Sequence, residues 1–426
     1  LTARYGAGEI RLDPAPFRLD PIEPQPDAAG PTLEAALDAP DGSPRLEEIV
    51  RQGQRVLLVV SDATRESAAA EVVVALLARL ASAGVRPDAV RAAIATGLHS
   101  PPDEAGYRAL LGPAASTLRR AATPPWLEGD FVDHGVTSRG TPVRLHRALS
   151  EADHVVLTGA IGFHYYAGFT GGRKSILPGL AAGASIAANH LLALSGPGGG
   201  RHAAATAATL DGNPVHLDMM EAAARRAPSF LVNTVVGADR RLRAAFAGDW
   251  VRAHRAGCAW LLQRRTVPHA GPRPFALVSA GGSPHDVDLV QSHKAIEAAF
   301  PLVAAGGAMV VLAECPRGGG HPQMEAWLDG RSAAEIRAQL ARRYEVYGQT
   351  AHALRTKAEQ VRIWFVSSLP PALVERAGML PARSAADAVH AAERHLGGGT
   401  QGYFVPRGAA CLPRPSFELT REGAGS

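Results

Sequence analysis

Apolar residues fall along the chain in short runs, each closed by a small or polar segment. RVLLVV (Arg55–Val60) is the first strong run; VRAAIA, HVVLTGA and SFLVNTVV follow. Short runs rich in β-branched residues predict strands covered on both faces. A weaker strand is expected around Phe131. Between the runs, helical spacing predicts helices over Glu66–Ala83, from about Asp103, over Ala184–Leu194 and over DWVRAHRAGCAWLLQRR. Another follows DGNP, with Asn213 as N-cap and Pro214 in the first turn.

Thr266–Pro274 (TVPHAGPRP) reads as a linker. Beyond it the pattern restarts. PFALVSA, AMVVLAEC and RIWFVSS are expected strands. Helices are expected over Asp288–Phe300, around 333–345 and 350–360, and over Ala385–His395. Residues 12–45, rich in Pro, Asp and Ala, read as an extended lead-in. Alternating strands and helices predict an α/β chain of two domains, 1–270 and 271–426, each a mostly parallel sheet flanked by helices. In open α/β sheets ligands gather outside the carboxyl ends of the strands. SDATR, TGLH and GFHYYAG follow expected strand ends, as GGSPHDVD does in the second half. The expected active site therefore lies in a cleft between the domains.

Composition narrows the partners. The chain has 426 residues and a net charge of only +4, without a polybasic run, and only 5% of its residues are aromatic. Nucleic acid is not an expected partner. No apolar run reaches about 18 residues, so no membrane span is expected. Three cysteines lie far apart and form no CxxC pair, which points to a reducing, cytoplasmic setting.

One bias changes the picture: three lysines stand against forty-one arginines. Lysine can lose its proton and act as a nucleophile, which arginine cannot readily do. Lys174 and Lys294 are read as kept for function, and Lys357, on a polar helical stretch, as chance. Lys174 lies in HYYAGFTGGRKSILPG, His164–Gly179. Gly171, Gly172, Arg173 and Ser175 could wrap a phosphate. GxxxxGK[ST] is absent, since Phe169 stands where its first glycine would be, and a tight turn explains the glycines equally well. His99 and His164 follow strand ends. His190 falls in an apolar helix, as a metal ligand or a satisfied core histidine. With no HExxH and no second histidine one turn away, a metal there would need most donors from elsewhere. Asp62 is a helix N-cap or a site residue. Arg65 is exposed or grips an anion. Gln291 and Lys294 share a helix face, solvated like neighbouring His293 or gripping an anion.

Taken in order, these pieces resemble the nickel-pincer-nucleotide lactate racemase family. They are D-x-T-R at Asp62, Thr64 and Arg65, TGLH ending at His99, HYYAGF from His164 and GGRKSILPG from Gly171. Asn189–His190 and Q-x-x-K at Gln291–Lys294 complete the set, which covers about residues 55–300. The resemblance implies an isomerase that racemises or epimerises a 2-hydroxy acid, lactate being one candidate. Its cofactor would be a pyridinium-3,5-bisthiocarboxylic acid mononucleotide holding nickel, the nickel-pincer nucleotide, joined covalently to Lys174. His190 would complete the metal's ligands, and the α-hydrogen would move as hydride. His99 and His164 would be the acid/bases. Arg65, Gln291 and Lys294 would hold the substrate carboxylate, with Tyr165 and Tyr166 lining the pocket. Asp62, Thr64, Gly171, Gly172, Arg173 and Ser175 would place the cofactor, and cofactor-assembly enzymes would be partners. Two other readings stay open: a non-catalytic hydroxy-acid or nucleotide binder, and a phosphate-binding transferase built around GGRKS.

Overall fold

The computed structural model describes residues 1–24, 29–63, 67–121, 130–196, 200–237 and 239–416. The chain forms two units, Pro26–Arg264 and Leu1–Gln25 with Arg265–Ser426. In the first, six strands lie in the order Leu242–Gly248, Phe230–Val236, His154–Ala160, Val56–Ser61, Val90–Ala95 and Arg119–Arg120. All neighbours are parallel except the Leu242–Gly248 edge.

The central strand explains the layering. Successive strand residues point to opposite faces. Val56, Leu58 and Val60 pack with Val72, Val73, Leu76 and Leu80 of the Ala69–Ser82 helix. Leu57 and Val59 pack on the other face with Ile176, Leu180, Ile186 and Met219. Covering both faces is what a strand without polar alternation demands, and each buried side chain contributes about 1.5–3 kcal/mol.

The second unit holds six parallel strands in the order Leu380–Ala382, Arg362–Val366, Val303–Leu312, Arg273–Ser279, Gln401–Val405 and Arg18–Pro21. The last of these corrects the expected boundary. Residues 1–25 belong with the C-terminal unit, not with residues up to 270, because Arg18–Pro21 pairs with the edge of Gln401–Val405. The buried Asp286 carboxylate also accepts the Gly6 N–H at 2.6 Å, holding the turn of the Thr2–Tyr5/Gly8–Arg11 hairpin.

Two other expectations change, and the strand expected around Phe131 forms in a ribbon of its own. The lead-in contains a helix, Leu33–Asp38, capped by the Thr32 hydroxyl. Phe131–Val136 pairs with Pro142–His146 in a separate antiparallel ribbon, because only its partner strand is substantially buried. The supposed linker contributes the strand Thr266–His269, parallel to Leu412–Pro415. Among the described residues no helix is long and apolar enough to cross a membrane.

Lys357, read from the sequence as chance, has a largely buried partner. It is 5% exposed, ion-paired with Glu297 and hydrogen bonded to the Ala353 carbonyl. Removing one partner leaves the other charge buried, so Lys357→Met should cost about 3–5 kcal/mol in urea unfolding. The double variant with Glu297→Leu should recover most of that loss. A Lys357→Met chain of unchanged stability would contradict this account of the pair.

Candidate active site

The connections leave the central strand in opposite directions. Val56–Ser61 leads to Val90–Ala95 on one side, while His154–Ala160 lies on the other. A crevice outside the carboxyl ends of the strands belongs at such a switch point. The pocket found there is lined by Ser61 and Asp62, by Ala95, Thr96, Gly97 and His99, and by Ala160. Its remaining wall is Thr170, Gly171, Lys174, Ser175, Pro178 and Gly179.

Local chemistry holds that wall. Thr170 donates its hydroxyl to the Ala160 carbonyl at 2.7 Å, and Ser175 donates to Thr158 O at 3.1 Å. Gly171 and Gly172 have φ of 78° and 57°, a region that favours glycine. A Cβ on Gly171 would lie 2.7 Å from Asn233 Oδ1, and one on Gly172 would lie 2.8 Å from the His254 ring. The glycines therefore serve a tight turn packed on two buried side chains. The Gly172 N–H donates to Asn233 Oδ1 at 2.9 Å. The turn delivers Lys174 to the pocket, half-buried, on the short helical turn Gly172–Ser175.

Asp62 is not the N-cap of the next helix; Ala68 is. Asp62 is 5% exposed, and its Oδ2 lies 2.5 Å from His99 Nδ1. A carboxylate only accepts, so the ring proton sits on Nδ1 and Nε2 is left as acceptor. His164 Nδ1 accepts the Ala167 N–H at 3.2 Å, the opposite tautomer, which puts its ring proton on Nε2.

Tyr166 joins the remaining residues. Its ring centroid lies 4.5 Å from that of His164, 4.6 Å from Tyr165 and 5.2 Å from His190, all edge-on. The Lys174 ammonium lies 5.9 Å from the same centroid. His190 is buried, and its pKa is pushed down to about 3, first by burial and then by the Lys174 charge. It is a neutral donor at ordinary pH.

The structure thus gathers Asp62, His99, Gly171, Lys174 and Ser175 around one pocket. It gathers His164, Tyr165, Tyr166 and His190 around one ring that Lys174 also meets. Arg173 lines neither. It is wholly buried, donating from Nη2 to Ala167 O at 2.7 Å and bonded through Nη1 to His254 Nε2 at 3.1 Å. Burial lowers its pKa to about 10. Its cation clamps the loop from behind, contrary to the expected cofactor contact. Thr64 and Arg65 lie outside the described residues. Gln291 and Lys294 sit in the other unit, on the Leu289–Ala299 helix, with Lys294 Nζ donating to Gln291 Oε1 at 2.5 Å. Neighbouring His293 is buried rather than solvated, its pKa pushed down to about 4 by burial. Sequence reasoning missed Asn233. Its signal was an amide inside the apolar run SFLVNTVV.

Residues 5–200 match the family model described as the lactate racemase N-terminal domain. A lactate racemase of Lactiplantibacillus plantarum is 33% identical over 294 residues, covering 68% of this chain and 67% of that protein. The chain belongs to the lactate racemase family. It is accordingly an isomerase. Another family member, the lactate racemase of Thermoanaerobacterium thermosaccharolyticum, is 29% identical over 296 residues, 69% of this chain and 68% of its own. The lactate racemase apoprotein structure from that organism matches with a TM-score of 0.87 at 26% identity, covering 97% of this chain and 99% of that one. A Thermotoga maritima protein shares the fold, with a TM-score of 0.67 at 16% identity over 91% of this chain and all of its own.

Buried histidines make this unit acid-sensitive, and His190, His216 and His254 most of all. Burial pushes His190 and His254 down to about 3 and His216 to about 2. Each binds its proton more tightly when unfolded, near pH 6.5. Stability is therefore full above that pH and is lost as pH falls below it, by up to about 1.4 kcal/mol per pH unit for each. Urea midpoints of the apoprotein should fall steadily from pH 7 to 5. His216→Gln should reduce the slope. A flat profile would contradict the neutral burial.

Proposed function

We propose that this racemase acts on a 2-hydroxy acid with a nickel-pincer nucleotide joined to Lys174. The observation that carries the reading is that the Lys174 amine and the neutral His190 imidazole meet one Tyr166 ring, beside a pocket at the switch point. An amine on a fixed turn suits a covalent link, and a buried uncharged imidazole suits nickel. When bound, the group supplies a hydride acceptor for an α-hydrogen that is not acidic enough, beside a carboxylate, to leave readily as a proton.

The chain's own residues do the rest. His99, with Asp62 accepting its Nδ1–H, presents Nε2 to take the hydroxyl proton. The Asp62 carboxylate then stabilises the imidazolium. His164, its Nδ1 accepting the Ala167 N–H, carries its proton on Nε2 and would present that donor to the substrate oxygen from a different element. Two such groups are needed because the two enantiomers place their hydroxyls differently around the carbon. Imidazole is a side chain suited to moving a proton in either direction. Gln291 and Lys294 offer an amide and an ammonium to the substrate carboxylate, and Arg65 a fork. Thr64, Gly171, Gly172 and Ser175 would flank the cofactor. Tyr165 and Tyr166 bring hydroxyls that favour a polar substrate. Cofactor-assembly enzymes would be partners in the cytoplasm.

The phosphate-binding transferase is disfavoured by the loop itself. Its Gly172 N–H is spent on Asn233, and its Arg173 is buried behind it. Enantiopure 2-hydroxy acids incubated in deuterium oxide with protein made alongside the assembly enzymes test the reading. Chiral analysis should show racemisation with little deuterium at the α-carbon. His99→Asn should lower kcat about 10²–10⁴-fold. Full deuterium incorporation would overturn hydride transfer, and failure to invert any acid would overturn the substrate class.

A further inference from the structure

The residue before His190 carries a second network. Asn189 is fully buried on the Gly183–Leu191 helix. Its amide donates to Val215 O at 3.1 Å and to Asp218 Oδ2 at 2.8 Å. Asp218 is also fully buried, on the Pro214–Ala224 helix. Its carboxylate takes the hydroxyls of Thr137 at 2.5 Å and Thr141 at 2.8 Å. Both threonines belong to the turn of the Phe131–Val136/Pro142–His146 ribbon, closed by Thr137 N–H to Thr141 O at 2.9 Å. Among the described residues no basic side chain forms an ion pair with Asp218.

A buried carboxylate is costly unless hydrogen bonds compensate it. Here three neutral donors from two other elements do so. The same ribbon holds the start of the His190 helix, through Ala182 N–H to Arg144 O at 2.9 Å and Arg144 N–H to Ser185 Oγ at 3.1 Å. Successive helix residues point about 100° apart, so fixing the Asn189 side chain fixes the helix about its axis. That in turn fixes the bearing of His190.

We infer that Asn189, Asp218, Thr137 and Thr141 form a brace that aims the His190 imidazole at its metal. Asn189 and Asp218 are positioning residues, and the metal role rests on the proposed function above. The antiparallel ribbon, which adds nothing to the main sheet, thereby has a task.

Hydrogen exchange of the apoprotein and nickel release from loaded protein to a chelator test the brace together. Asn189→Ala should speed amide exchange in residues 183–191, with little change in the sheet, and should release nickel at least tenfold faster. Thr141→Val should act in the same sense from the far end, and Thr141→Ser should restore wild-type behaviour. Val72→Ala, a core change on the opposite sheet face, should leave nickel release unchanged. Unaltered exchange in 183–191 would overturn the brace, as would equal nickel loss from Val72→Ala. If wild-type protein takes up no nickel, the metal role fails with the proposed function, and exchange still decides whether the brace orders the helix.

Discussion

The turn at Gly171–Gly172 decides where the Lys174 amine goes. It can be made only because two residues lack a Cβ, letting the backbone press against Asn233 and His254. Neighbouring contacts take their position from it. Thr170 and Ser175 tie the turn to the ends of the strands, and Arg173 ties it to Ala167, three residues after His164. A lysine on a mobile loop would meet many groups. Here it reaches the Tyr166 ring and lines the pocket.

Behind the turn the unit accepts considerable electrostatic expense. It buries the Arg173 guanidinium, the Asp62 and Asp218 carboxylates, and histidines held neutral by burial, His190, His216 and His254 among them. Buried charges and unprotonated imidazoles are poor sources of stability. Their distribution around the Lys174 and His190 segments suggests what they do contribute, which is fixed geometry. Apolar packing on both faces of the central strand supplies the stability that tolerates them.

The core strands of both sheets were legible because a parallel strand buried on both faces must be an unbroken apolar run; Leu242–Gly248, Arg119–Arg120, Leu380–Ala382 and Gln401–Val405 were not. Asn213 was legible as a cap by local logic, and it caps as expected. What failed was non-local. The place of Arg18–Pro21 depends on an open edge some 380 residues away, which no window along the chain can see. Lys357 looked like chance because helical spacing says nothing of a partner on another helix. Arg173 looked like a ligand contact because it follows two glycines that could wrap an anion; the turn sends it the other way. Asp62 and His99, 37 residues apart, meet because adjacent parallel strands end side by side. The ordered motifs carried the family, while the roles within them came from topology.

The central claim is that Lys174 and His190 hold opposite ends of one nickel-bearing group. Peptide mapping by mass spectrometry, with metal analysis, of protein made alongside the assembly enzymes tests it most directly. The account expects a nucleotide-sized adduct on Lys174 with about one nickel per chain, and neither in a Lys174→Arg chain. An adduct on another residue, or racemisation by a chain with an unmodified Lys174, would contradict it.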